Sequence, residues 1–228
     1  MGMILYIPRP KPSFEAIKYG ALYNKFAVFD SRNITSSGWH ISTKTETETL
    51  ITYVGGGTYP FLKLRETGTV YWTAGTGATN EFGFNLRGAG YRNYSDGVFT
   101  GLKSYGIIAT QTGSLWYALQ SNVNGSYTLQ ANFNTNGFSA RAIKDSTTLT
   151  HGQTGTYTGN DGKVYRTICI GTQEWLADNL AETKFRNGDW ISGFDGGVYT
   201  PISNANWVLR GTSGESLMCA YLDDLSKV

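Results

Sequence analysis

Catalysis by this sequence would have to draw on two cysteines, two histidines and a thin scatter of carboxylates. Cys169 and Cys219 form no C-x-x-C pair and no Cys/His arrangement, so a zinc site is not expected. A nucleophilic cysteine needs a neighbouring histidine or basic cluster to hold its thiolate, and neither has one nearby in sequence. The two can form one disulfide or stay as two buried thiols, and folding in a reducing compartment favours thiols. His40, within "GWH", reads as a hydrogen-bonded structural histidine, and His151 falls in a polar connecting stretch, so no triad is legible. Asp178 and Asp223–Asp224 read as isolated carboxylates, whereas calcium needs six to eight converging oxygens. "GGG" at Gly55–Gly57 precedes no GK[ST], and "GAG" at Gly88–Gly90 opens no helix, so a phosphate loop is not expected either.

Aromatic residues carry the stronger signal. Tyr91, Tyr94, Phe99 and Tyr105 cluster in "GYRNYSDGVFTGLKSY", and Trp116, Tyr117 and Tyr127 follow. Two readings stay open. The rings can anchor core and loops, or they can form a recognition face, because Tyr, Trp, Asn, Ser and Gly are what adaptable binding loops use. The Asn- and Ser-rich "QSNVNGSYTLQANFNTN" (Gln120–Asn136) would be its rim.

The elements that must carry these residues are short. With 29 Gly, 15 Tyr, 11 Phe and 6 Trp in 228 residues and only 16% charged residues, the chain is a turn-rich globular fold rather than a disordered one. A net charge of +2 gives no electrostatic footprint for nucleic acid. No apolar run approaches the ~20 residues of a membrane span, and the first residues show no secretory signal, so membrane insertion is not expected. Residues 1–14 read as an extended arm: Ile4 and Tyr6 lie in a β-prone run, and Pro8, Pro10 and Pro12 favour a polyproline-like path against a partner.

From Phe14 the spacing of Ile17, Ala21, Leu22 and Phe26 predicts one amphipathic helix. Thr43 with Glu46 predicts a capping box at the head of a second helix, with Leu50, Tyr53 and Val54 as its apolar stripe and Gly55 as its stop. After Gly57, short β-prone runs separated by Gly, Asn and Ser predict an antiparallel sheet with long loops. Ser146–Thr156 is the linker candidate, and "KVYRTICIG" after it reads as a strand. The fold class is α+β.

"DGKVYRTICIGTQEWLADNL" (Asp161–Leu180) resembles the opening of the FISUMP family, the Fibrobacter succinogenes major paralogous domain. "YGALYNKFAV" (Tyr19–Val28) and "GWHISTKTETETL" (Gly38–Leu50) resemble its middle. "GATNEFGFNLRGAGYRN" (Gly77–Asn93) and "NGFSARAIKD" (Asn136–Asp145) resemble its later and closing motifs. "MCAYLDD" (Met218–Asp224) resembles the segment that in the family runs directly into the Tyr19–Asn24 motif. The order is therefore rotated: residues 15–145 hold the family's middle and end, 146–156 join, and 157–228 hold its beginning. Circular permutation within one chain, or exchange of the two pieces between chains, would each account for this.

The resemblance implies a C-type lectin-like fold with two helices, short antiparallel strands and long loops. The family's usual Trp is Thr47 here, and the Cys of its closing motif is Ala142, which leaves Cys219 without that partner. The superfamily also hosts sulfatase-modifying oxidases, but the reactive cysteine pair they need has no counterpart. Its calcium-dependent sugar motifs, E-P-N or Q-P-D with W-N-D, do not occur. The expectation is a protein that is not an enzyme and needs no cofactor, a structural calcium ion being the one addition the superfamily admits. Its setting is expected to be the bacteriophage virion, with the protein made in the host cytoplasm. There it would be a homotrimeric fibre or decoration protein holding other virion proteins through its arm and binding a glycan or protein of the bacterial surface. The other setting is a bacterial surface or secreted glycan-binding adhesion module.

Overall fold

The computed structural model describes residues 18–56, 59–74, 77–94, 98–112, 115–122, 127–131, 136–191 and 218–219. The arm residues Ile4, Tyr6, Pro8, Pro10 and Pro12, and Asp223–Asp224, lie outside the described residues.

Thirteen strands and two α-helices are described. In chain order they are β1 (Leu22–Tyr23), α1 (Lys25–Val28), β2 (Trp39–Ile41), α2 (Lys44–Tyr53), β3 (Tyr91–Arg92), β4 (Phe99–Thr100), β5 (Tyr105–Thr112), β6 (Leu115–Asn122), β7 (Tyr127–Ala131), β8 (Phe138–Ala140), β9 (Ala142–Lys144), β10 (Thr154–Thr158), β11 (Val164–Ile170), β12 (Gln173–Leu176) and β13 (Met218–Cys219). A 3₁₀ turn at Pro60–Lys63 follows α2. Six strands form one sheet in the order β13-β1-β8-β5-β6-β7. Five form another in the order β10-β11-β12-β9-β2, and β3 and β4 make a separate ribbon.

The second predicted helix is present with its cap. Thr43 accepts from the backbone of Glu46 at 3.2 Å, and the Glu46 carboxylate accepts from Thr43 N at 2.8 Å. Leu50, Ile51 and Val54 face the core, and Gly55 leaves the helix at φ +104°. The first predicted helix is not continuous. Lys18 and Tyr19 are helical, Gly20 turns at φ +81°, β1 follows, and only Lys25–Val28 is helical again. The cause is tertiary. A Cβ on Gly20 would sit 2.6 Å from Asn179 Cβ, and Ala21 N donates to Leu180 O at 2.8 Å, so the backbone lies flat on residues 179–180.

The larger sheet also departs from the antiparallel expectation. β5 and β8 pair parallel, Ile108 opposite Ser139 and Ala109 opposite Ala140. The hairpin β6–β7 is inserted between them, which supplies the long crossover a parallel pair requires. The predicted linker is shorter than its span, because the chain is already strand at Thr154, paired with Ile168.

Chain segments far apart in sequence meet twice. β12 pairs with β9 at Trp175 and Ile143, and β13 pairs with β1 at Leu22–Cys219 and Tyr23–Met218. The two main cores reflect the same meeting. Tyr157, Tyr165, Leu176, Leu180, Phe185 and Ile191 enter the core built on Tyr23, Ile34, Trp39 and Phe138. Ile168, Ile170, Trp175 and Ala177 enter the core built on α2, Phe61, Trp72 and Phe84.

Candidate functional site

His40 joins two carboxylates. It lies in the middle of β2, opposite Ile143 of β9, so its ring stands between the head of α2 and the end of the closing strand. Nδ1 is 2.6 Å from Asp145 Oδ1, and Nε2 is 2.9 and 3.0 Å from the two Glu46 oxygens. The hydrogen bond to Glu46, followed by that to Asp145, outweighs partial burial and pushes His40 up to about 9. Burial alone would raise Glu46, but the bonds from His40 and Thr43 together hold it below its usual value. Both ring nitrogens are engaged, so the imidazolium is a clamp between two carboxylates, without a free nitrogen for base catalysis.

Sequence reasoning missed a second carboxylate centre. Glu182 is fully buried, its Oε2 accepting from Asn160 N at 2.7 Å and its Oε1 from Asp161 N at 2.8 Å. A Cβ on Gly159 would fall 2.0 Å from Oε2, so glycine is what lets the turn close on the carboxylate. Asp161 Oδ2 accepts from Thr183 N at 3.1 Å, from Thr183 Oγ1 at 2.8 Å and from Lys163 Nζ. Burial, then the Asp161 charge, push Glu182 up to about 8. Burial works against Asp161 too, yet the bonds from Lys163 and Thr183 keep it below its ordinary value. Two acids driven apart in pKa are what acid–base catalysis uses. Here both are turned onto their own backbone, joining the turn at 159–163 to residues 181–183. Only the pairing of "DG" with a distant "ET" hinted at this, and nothing in the spacing required it.

These shifts set a pH dependence. His40 rises from an ordinary 6.5 to about 9, so its contribution is full below about pH 6.5 and is lost as pH rises through about 9. Glu182 rises from 4.5 to about 8, so its contribution is full below about pH 4.5 and lost as pH rises through about 8. The signs agree. The melting temperature is expected to fall between about pH 6 and about pH 9.5. His40→Gln should remove part of the upper limb and cost about 1 kcal/mol or less at pH 6, since the pair is partly solvent-screened. Thermal unfolding across that range checks it, and a melting temperature that rises with pH would contradict the assignment.

The remaining candidates are also engaged. Cys169 is buried and free, its Sγ 3.3 Å from Leu149 O and 3.5 Å from Gly171 O, and burial pushes the thiol up, away from the reactive thiolate. The side chain of Cys219 lies outside the described residues. Asp178 is not the isolated carboxylate expected from sequence: Arg166 Nη2 lies 3.0 Å and Arg87 Nη2 3.2 Å from its Oδ1. Arg166 lies on the adjoining strand β11 of the same hairpin, while Arg87 comes from a distant stretch, and that contact is the one the sequence hides. Thr47, standing where Trp was expected, is buried and donates to Thr43 O at 2.9 Å. Among the described residues no group of three or more His, Cys, Asp or Glu is placed to hold a metal ion. No described helix is long and apolar enough to cross a membrane.

The aromatic candidates divide. Tyr91, Tyr94, Phe99 and Tyr105 gather around the β3–β4 ribbon and are all half-buried. Tyr91 stands 6.4 Å from Phe138, and with Tyr105 it packs on the first core. Phe99 packs on a small third cluster with Tyr19, Leu22 and Ala89. The ribbon is tied down at Arg92 and Gly137, whose backbones exchange hydrogen bonds of 3.0 and 2.9 Å, and at Tyr94 N, which donates to Asn136 Oδ1 at 2.9 Å. Tyr91, Phe99 and Tyr105 therefore anchor the ribbon, Tyr94 is held through its backbone, and all four remain partly open to solvent. Trp116 and Tyr117 belong to β6 and Tyr127 to β7, opposite Gln111, Thr110 and Ser121; their side chains lie outside the described residues.

A family model, the Fibrobacter succinogenes major domain, matches residues 9–144. No curated protein and no solved structure matches the chain.

Proposed function

We propose that this chain, which belongs to the Fibrobacter succinogenes major domain family, is a non-enzymatic binding module that is displayed on an outer surface and reads a glycan or protein of a bacterial envelope. The observation that carries this reading is how the reactive side chains are used. His40, Glu182, Asp161 and Cys169 each hold the fold's own backbone or side chains, while half-exposed aromatics cluster around one pinned ribbon. A rigid scaffold that carries surface aromatics is the usual division of labour in a recognition domain.

The domain is read as a circularly permuted C-type lectin-like fold. What supports this is the pairing of the opening-type segment with the closing strand, Trp175 opposite Ile143, and of β13 with β1. For the carrier we favour a virion fibre or decoration protein, trimeric through self-association, on the strength of the proline-spaced arm and of lectin-like modules recurring in such fibres. Membership of a family named from a bacterium supports the other carrier, a bacterial surface or secreted adhesion module.

The test is binding of the labelled protein to intact bacterial cells and to extracted envelope polysaccharide, with and without EDTA. Saturable binding that survives EDTA is the expected result. Absence of binding to every envelope fraction, or thiol-dependent oxidation of a peptide by the purified protein, would overturn the reading.

A further inference from the structure

Three rings from separate stretches meet at the surface where α2 ends. Tyr53 is the last residue of that helix and is 47% exposed, Phe82 is half-buried, and His151 is exposed on the turn before β10. The Tyr53 and Phe82 centroids are 6.1 Å apart at 69°. His151 lies 5.2 Å from Tyr53 at 58° and 5.9 Å from Phe82 at 55°. Phe82 also packs on the second core, which fixes the group to the scaffold.

Gly171 backs the platform. A Cβ there would lie 2.9, 3.0 and 3.4 Å from Cδ2, Cε2 and Cγ of Tyr53, distances that put the glycine over the face of the ring and not at its edge. One face of Tyr53 is thus occupied, and its open surface lies beyond that contact. Gly171 N also donates to His151 Nδ1 at 3.3 Å. With Nδ1 accepting, the ring's donor is Nε2, which has no hydrogen-bond partner among the described residues. The rim is polar. Glu81, beside Phe82, is ion-paired with Lys63 at 3.3 Å, and Lys63 reaches back to Gly55, just past Tyr53. Gln153 Oε1 accepts from Thr150 N at 2.8 Å on the same turn.

We propose that Tyr53, Phe82 and His151 form a calcium-independent subsite for a neutral pyranose ring, the sugar's apolar face stacking on Tyr53 and one hydroxyl accepting from His151 Nε2. This rests on the glycan-binding reading above and locates it away from the β3–β4 ribbon. At this patch a single pinned aromatic face is ringed by charged and amide groups, which suits a ligand that is apolar on one face and hydroxylated at its edge.

Saturation-transfer NMR in EDTA tests it, with methyl β-glucopyranoside, methyl α-mannopyranoside and N,N′-diacetylchitobiose as probes and envelope binding measured in parallel. Transfer to the ring protons of at least one probe is expected. Tyr53→Leu should weaken it roughly tenfold and His151→Ala several-fold, with thermal unfolding of His151→Ala unchanged. Transfer unchanged in both variants, transfer abolished by EDTA, or no transfer while envelope binding persists would each overturn the subsite and leave the binding-module reading standing. Loss of envelope binding as well would overturn both.

Discussion

Arg141→Ala is expected to lower the unfolding free energy by about 3–5 kcal/mol, measured by urea denaturation. Arg141 is fully buried between β8 and β9, and its guanidinium joins stretches far apart in the chain. It donates to Phe84 O, to Asn85 O at 2.9 Å, to Leu176 O at 3.1 Å and to Asn179 Oδ1 at 3.0 Å, and it lies 4.1 Å over the Phe84 ring. Burial pulls it down to about 9, which still leaves it charged at neutral pH. Alanine would strand three carbonyls in the core, each costing about 1–3 kcal/mol. Lysine should recover less than half of the loss, because one ammonium cannot serve four acceptors arranged for a planar fork. A loss under about 1 kcal/mol would mean that water replaces the guanidinium and that the junction is not dry.

A chain ended at Asp145 is expected not to fold. It would lose six residues of the first core and four of the second, together with the strand that covers β9. Burial of one large apolar side chain contributes about 1.5–3 kcal/mol, and a whole domain holds only about 5–15 kcal/mol in reserve. The uncovered edge of β9 would also offer unpaired backbone to other chains, so aggregation is expected in place of a soluble unfolded species. Cooperative unfolding of the soluble truncated chain would contradict this and show two independent units.

Local signals in the sequence were reliable where the physics is local. Thr43 and Glu46 mark the head of α2 because both halves of a capping box lie within four residues. The start of Val164–Ile170 is legible because alternation is a short-range pattern, with Val164 and Arg166 exposed and Tyr165 and Thr167 buried, whereas Thr167–Ile170 are all buried because both faces are covered there. The neighbourhood of the Asp161–Leu180 segment and the closing strand was legible only through motif order, since no periodicity places Trp175 opposite Ile143. The helix expected through Gly20 failed because contact with Asn179, across the molecule, overrides its spacing. The parallel β5–β8 pair, the Glu182 centre and the Tyr53–Phe82–His151 rings were hidden for the same reason. Each depends on partners brought together by topology, and the rings in particular come from segments that share no motif.

The central claim is that the stretch after the joining segment completes, within the same chain, the domain begun before it. Arg32 and Asp189 meet across that divide, Nη1 to Oδ2 at 3.1 Å, and both are exposed enough to react. Arg32→Lys provides an amine there for carbodiimide coupling to Asp189. ¹⁵N-labelled and unlabelled chains of this full-length variant would be unfolded together, refolded and coupled, and the linked peptides read by mass spectrometry. Linked peptides wholly labelled or wholly unlabelled are the predicted result. Peptides joining a labelled half to an unlabelled half would show that the two pieces complete each other between chains, and would contradict the account.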